Sequence, residues 1–265
     1  MKVAIIGAGN MGGALARGLA KGTLIPTSEI YVSNPSTPKL EALKAEFPEI
    51  NTTTDNRTAA ASADIIVLAV KPWKVVEVVD ELRPHLDYSR QAVASMVGGL
   101  GIAQLSEWLN KGDGKLPATY IIIPNTAIAT MSSMTFLSSA RSTAEQDNHL
   151  LDIFNELGRS MLIDEGQMAA ATSLASCGIA YALRYIRAAM EGGVELGIRA
   201  NDAKQIVMQT LRGAVDVLEA NDAHPEVEID RVTTPGGLTI RGLNAMEAAG
   251  FTHSVIEGLR ASTKR

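Results

Sequence analysis

The chain has 265 residues, 46% of them hydrophobic and 20% charged, with a net charge of −5. That is enough apolar material for one large domain or two modest ones, and there is no basic excess to displace counterions from nucleic acid. A single cysteine, Cys177, excludes an internal disulfide framework or a thiolate metal site, and His85, His149, His224 and His253 show no metal-ligand spacing.

Met1 runs directly into a strand pattern, without a charged and then apolar leader. Polar residues interrupt every apolar stretch before membrane-spanning length, so a cytoplasmic protein without a membrane partner is expected. "KVAIIGAG" predicts a buried strand, "NMGGALARGLAKG" a helix and "EIYVSN" a second strand. "PKLEALKAEF" follows as a helix, "INTTTDN" as a short strand and "RTAAASA" as a short helix. "DIIVLAVKP" is again a buried strand, and "WKVVEVVDELRPHL" its helix. "QAVASMV" and "ATYIIIPN" complete the set around the helix "GIAQLSEWL". Strands that alternate with helices pair in parallel through right-handed crossovers, which gives a doubly wound α/β sheet. "TFLSS" and "SMLIDE" add one or two strands at the sheet edge, with the helix "AEQDNHLLDIFNELG" between them.

After Glu165 the strand signal ends. "MAAATSLASCGIAYALRYIRAAMEGGVELGI" and "NDAKQIVMQTLRGAVDVLEA" have helical apolar spacing, the second with Asn201 or Asp202 as expected N-cap. "LTIRGLNAMEAA" and "THSVIEGLRAST" are two further helices. The domains are therefore expected at 1–164, a Rossmann-type doubly wound sheet, and 165–265, all helical. An all-helical tail of this size has little core of its own, so burial against a second copy, as a homodimer or larger homo-oligomer, is expected.

"GAGNMG" places Gly7, Gly9 and Gly12 where the first strand passes into a helix, the context that a dinucleotide-binding turn requires. Gly7 makes the tight turn, Gly9 lets the backbone approach a pyrophosphate, and Gly12 lets helix and strand pack. Asn10 and Met11 open that helix, whose N-terminus receives the pyrophosphate. At the end of the second strand an NAD site carries an acid, but this chain reads "VSNPSTPK". Asn34, Ser36, Thr37 and Lys39 would accept a 2′-phosphate that a carboxylate would repel, so NADPH is expected over NADH. Asn56, the last residue of the short strand "INTTTDN", is grouped with them. Ala69, Val70, Lys71 and Pro72 end a strand on the same crevice, and Lys71 is either a cofactor contact or an exposed loop lysine. Asn125, after "IIIP", is either a loop cap or a polar group facing a substrate.

"TTPGGLTIRGL" (233–243) sets Pro235, Gly236 and Gly237 before a helix. The residues admit two readings: a turn between helices, or a helix start whose free N–H groups bind an anion, its glycines letting the backbone fold closely round a ligand.

Together "IGAGNMGGAL", "AVKP", "PNT" and "PGGLTIRGLNAMEAAGF" resemble the pyrroline-5-carboxylate reductase family, over the whole length of the chain. The resemblance implies NADPH-dependent reduction of the cyclic imine 1-pyrroline-5-carboxylate to L-proline. It also implies that N–H groups from Gly236 to Thr239, including Leu238, hold the substrate carboxylate, with Thr234 as side-chain partner. The Thr239 hydroxyl would then stand at the ring nitrogen, while C-terminal helices form the dimer. The chain departs from the family pattern at Leu238, at Ala127 and in "ASCGIAY" (175–181). A β-hydroxyacid dehydrogenase would need a helical-domain lysine, and no lysine lies between Lys115 and Lys204. A deazaflavin-dependent NADP reductase or a non-catalytic NADP sensor leaves the Pro-Gly-Gly-x-Thr stretch unexplained.

Overall fold

The computed structural model describes residues 1–263, in two compact units, the first spanning Met1–Ser176 and the second beginning at Cys177. In the first, β1 (Val3–Ile6), β2 (Ile30–Ser33), β3 (Asn51–Thr53), β4 (Ile65–Leu68), β5 (Ala92–Ser95), β6 (Thr119–Ile123), β7 (Ser133–Ala140) and β8 (Gly158–Leu162) form one sheet in the order β3-β2-β1-β4-β5-β6-β7-β8. The helices between them are α1 (Asn10–Lys21), α2 (Thr37–Glu46), α3 (Asn56–Ala60), α4 (Val75–Leu82), α5 (Ile102–Leu109) and α6 (Ala144–Glu156).

Strand side chains alternate between two apolar layers. Val3 and Ile5 pack with Leu15, Leu19 and Phe154 on one face, while Ala4 and Ile6 pack with Val79, Leu82 and Leu105 on the other. The expected parallel pairing holds from β3 to β6 and again between β7 and β8, whereas β7 runs antiparallel to β6. Its connection is too short for a crossover helix, holding only a 3-10 turn at Thr126–Thr130, so the chain doubles back. The "WKVVEVVDELRPHL" helix is cut at both ends: Pro72 opens a separate 3-10 turn, and Pro84 turns Arg83–His85 into another.

The sheet ends at Leu162, near the expected boundary at 164, but the first compact unit continues to Ser176. Met168 of α7 (Met168–Ala171) is buried in the Ile6–Leu105 layer, with Ala171 and Ala175 packed against it. A π-helical turn at Thr172–Cys177 then brings Ala175 O to Asn125 Nδ2 and Ser176 Oγ to Pro124 O. These ties carry the first unit beyond its last strand.

The second unit comprises α8 (Gly178–Glu195), α9 (Ala200–Asn221), α10 (Pro225–Arg231), α11 (Leu238–Ala248) and α12 (Phe251–Thr263). Gly193 lets α8 approach α9, since a Cβ there would stand 3.1 Å from Ala203 Cβ. Tyr181 Oη donates to Gly258 O across 3.1 Å, fixing α8 against α12. Helix α9 begins one residue earlier than expected. Arg199 flanks it, and Asp202 is an ion-pair partner of Arg199 at 2.8 Å rather than a cap. Among the described residues of this unit only Ala203 is buried, while Leu183, Val194, Ile206 and Val215 are each about half exposed. Such helices lack the apolar partner that their composition calls for.

Candidate active site

The sheet order reverses between β1 and β4, and open α/β sheets bind ligands at the carboxyl edge of such a point. There β1 leads into the glycine turn. Gly7 has φ +109°, donates its N–H to Ser33 O at 2.8 Å, and leaves no room for a Cβ, which would stand 2.7 Å from Ala69 O. A Cβ on Gly12 would overlap the Gly7 carbonyl and stand 2.9 Å from Ala69 Cβ. Gly9 is different: its Cβ would point into open space, with nothing within 4 Å. Gly9 flanks the start of α1 and offers no side chain to cap it, so the N–H groups of Asn10, Met11 and Gly12 stand without intrahelical acceptors. Beside the turn lies a cleft of about 430 Å³, lined by Ala8, Gly9 and Asn10 with the cationic Arg17 and Lys39.

Asn34 closes β2 and is almost buried. Its Oδ1 accepts the Ala8 N–H at 3.1 Å, and its Nδ2 donates to Ser36 O at 2.9 Å and Ser36 Oγ at 3.0 Å. Ser36 and Thr37, both exposed, begin α2, and no side chain caps it. Asn56 is half-buried and held from two sides: its Oδ1 accepts from Ser33 Oγ and its Nδ2 donates to Glu81 Oε2, each at 2.8 Å. After β4, Ala69 pairs back to Ile6 O at 2.9 Å, Val70 packs beside Gly7, and Lys71 and Pro72 are exposed on the following turn. Asn125 is a loop cap. Its Oδ1 accepts the Ala127 N–H at 3.0 Å, and its Nδ2 reaches Ala175 O at 3.4 Å, so its amide is occupied inside the first unit.

The remaining site candidates lie in the second unit. Gly237 N–H donates to Thr234 O at 2.9 Å, and Gly236 has φ +71°. With Pro235 before it, this is a type II turn, in which the third residue needs the freedom of glycine. The expectation that both glycines serve ligand approach is corrected for Gly237. A Cβ there would overlap Thr234 Oγ1 and stand 3.0 Å from Thr234 O, so the turn itself excludes it. Beyond the turn α11 starts without a side-chain cap, and Leu238 and Thr239 are exposed there with open N–H groups. The two readings of "TTPGGLTIRGL" are thus compatible: a Pro-Gly turn builds an uncapped helix start.

The sequence reading missed the π-turn at Thr172–Cys177 and helix α10. The latter does carry a signal: Pro225 at its first position, Glu226 and Glu228 in its first turn and Arg231 in its last. No periodic signature marks a π-turn, which here follows from contacts with the β6 loop.

Residues 165–265 match the family model described as pyrroline-5-carboxylate reductase dimerisation, and residues 2–99 match that described as NADP oxidoreductase, coenzyme F420-dependent. A pyrroline-5-carboxylate reductase 2 of Dictyostelium discoideum is 36% identical over 99% of this chain and 91% of its own length. The chain belongs to the pyrroline-5-carboxylate reductase family. Pyrroline-5-carboxylate reductase 1 of the same organism is also 36% identical over 99% of the chain, which spans about half (49%) of that relative. Among solved structures, the Plasmodium falciparum pyrroline carboxylate reductase with NADP bound superposes with a TM-score of 0.88 at 28% identity, covering 99% of this chain and 95% of that one. The Coxiella burnetii pyrroline-5-carboxylate reductase gives 0.89, also at 28% identity, over 99% and 96%. Membership of the reductase family therefore extends over both compact units. No described helix is long and apolar enough to cross a membrane.

Proposed function

We infer that this chain is a pyrroline-5-carboxylate reductase, reducing 1-pyrroline-5-carboxylate to L-proline with NADPH. The observation that carries the reading is the pair of uncapped helix starts, each built by glycines, in a chain that matches the family end to end. A helix N-terminus presents free N–H groups and a positive dipole end, which suit a pyrophosphate at α1 and a carboxylate at α11.

NADPH supplies the hydride; the imine carbon accepts it, the C=N π pair moves to nitrogen, and one proton completes the amine. The open cradle at Gly9, with Gly7 and Gly12 packed tightly around it, fits a pyrophosphate held by the N–H groups of Asn10 and Met11. Ser36 and Thr37 would take the 2′-phosphate, and no carboxylate stands at the end of β2 to repel it. Asn56 and Ala69–Pro72 bound the cofactor side of the crevice. At α11 the N–H groups of Leu238 and Thr239 would hold the substrate carboxylate, whereas the Gly237 N–H is given to Thr234 O in the turn. Gly236 and Thr234 shape this start, and Asn125 keeps the β6 loop in place. The Thr239 hydroxyl is too weak an acid to protonate nitrogen outright, so its contribution is orientation and relay at the ring nitrogen. The half-exposed apolar helices of the second unit are read as the surface of a homodimer, and the single unpaired Cys177 suits the reducing cytoplasm.

Purified protein should consume NADPH, followed by the nicotinamide absorbance, only when the imine acid is added, and should form proline. A folded protein that binds NADPH and leaves it unoxidised with that substrate contradicts the reading. A higher kcat/KM with NADH than with NADPH contradicts the cofactor assignment alone.

A further inference from the structure

The carboxyl end of β2 is where a dinucleotide site identifies the adenine ribose, and Asn34 occupies it. A ligand-binding asparagine would keep at least one amide atom open toward the crevice. Asn34 does not. It is 9% exposed, its Oδ1 is taken by Ala8 N–H, and its Nδ2 is shared between the carbonyl and hydroxyl oxygens of Ser36. The partners fix the amide's orientation, since a backbone N–H only donates and a backbone carbonyl only accepts. Asn34 is therefore a strut between the glycine turn and the β2–α2 loop. Its own N–H is given to Thr53 O at 3.2 Å, which anchors the strut to β3.

We propose that Asn34 is a positioning residue for cofactor choice, holding Ser36 where its hydroxyl meets the 2′-phosphate, rather than a ligand of the cofactor. The proposal rests on the NADPH reading above. The chemistry is directional. With Nδ2 donating to Ser36 Oγ, the hydroxyl proton of Ser36 is turned away from Asn34 and is free to be donated to an anionic oxygen. Ser36 is exposed and stands beside the uncapped start of α2, so the hydroxyl and the helix N–H groups are presented together. An aspartate at position 34 would still accept from Ala8 but could not donate to Ser36, and would repel the Ser36 carbonyl and a 2′-phosphate alike. One atom of difference would thus change both loop geometry and charge.

The test is a double-substitution cycle on the full chain, read by calorimetric titration with NADP⁺ and NAD⁺ and not by turnover. The quantity followed is the ratio of the NAD⁺ to the NADP⁺ dissociation constant, because general damage to the fold weakens both nucleotides and leaves the ratio in place. Ser36→Ala should lower the ratio about tenfold, the scale of one hydrogen bond to a charged group. Asn34→Ala should lower it by a similar factor, and the double variant should be no worse than either single one, since Asn34 acts through Ser36. If Asn34→Ala does not fold, Asn34→Ser takes its place; it removes the amide donors to Ser36 and leaves a small polar group at the position. Multiplying effects in the double variant, or an Asn34 variant with an unchanged ratio, would overturn the positioning role while leaving the NADPH reading intact. A wild-type protein that binds both nucleotides equally overturns the NADPH reading, and the proposal with it.

Discussion

Gly9 and Gly12 lie three residues apart in one turn, yet substituting each by alanine should damage different properties. At Gly9 the backbone is ordinary extended chain, φ −67° and ψ −171°, and an added methyl meets nothing within 4 Å. The fold should hardly register Gly9→Ala: an alanine in the capping position costs roughly 0.5 kcal/mol relative to glycine. The methyl would occupy the space that the pyrophosphate is inferred to enter, and NADP⁺ affinity should fall at least about tenfold, or roughly 1.4 kcal/mol. At Gly12 the added methyl overlaps the Gly7 carbonyl and comes to 2.9 Å from Ala69 Cβ. Ordinary contact begins near 3.4 Å, so α1 must lift off β1 and β4 by at least about half an ångström. Overpacking of this kind costs about 1–3 kcal/mol. Urea denaturation beside calorimetric titration of NADP⁺ separates the two effects. Gly9→Ala should keep its denaturation midpoint and lose the cofactor, whereas Gly12→Ala should lose stability even without ligand. A Gly9→Ala protein that binds NADP⁺ as tightly as the wild type would refute the placement of the pyrophosphate at α1.

Thr239→Ala should lower kcat by about 5- to 150-fold, the worth of one hydrogen bond in the transition state, with melting unchanged because the side chain is exposed; an inert variant leaves the proton to water. Burial pushes the Glu156 carboxyl up, but hydrogen bonds from Thr23 and Leu24 more than reverse this, holding it below its ordinary value of 4.5. Its stabilising effect is complete above that value and is lost as the pH falls through the lower folded-state value, so Glu156→Gln should flatten the acid limb of stability against pH; parallel limbs for the two proteins would remove Glu156 as the cause. Light scattering should give a multiple of the 28.0 kDa chain mass at micromolar concentration, and a monomer would leave the half-exposed apolar residues of α8 and α9 unexplained.

The parts of this molecule that were legible in the sequence are those dictated by period and by glycine. β1, β4 and β6 are short apolar runs that the sheet buries on both faces, and the turn at Gly7 needs the positive φ that only glycine accepts without strain. Features set by contacts distant in sequence were not legible. The reversal at β7 depends on a connection too short to cross over, and the extension of the first unit to Ser176 depends on Met168 and Ala175 finding the Ile6–Leu105 layer. Side-chain duties were the least legible. Position in the sequence put Asn34 and Asn56 beside the cofactor and left Asn125 as either a loop cap or a polar group facing a substrate, but an amide has both a donor and an acceptor, and sequence does not say which neighbours take them.

In each case the neighbours are protein. Asn34 binds Ala8 and Ser36, Asn56 binds Ser33 and Glu81, and Asn125 binds Ala127 and Ala175. An amide that bridges two loops is worth most where it is dry and both ends are satisfied, since an unpaired buried polar atom costs more than a made hydrogen bond returns. The asparagines at the sheet's carboxyl edge thus stiffen the crevice, and under the proposed function ligand recognition would fall to groups the fold leaves open: the N–H groups at the starts of α1 and α11, and the hydroxyls of Ser36, Thr37 and Thr239. This division has a physical advantage. Backbone N–H groups at a helix start are held rigid by the helix behind them, so they meet an anion without first losing side-chain entropy. A reductase that must bring an anionic cofactor and an anionic substrate together gains from binding both through rigid dipoles rather than through mobile cations. Lysine or arginine added at either start should therefore tighten ground-state binding and reduce turnover, because a longer, more mobile charge holds substrate and product alike.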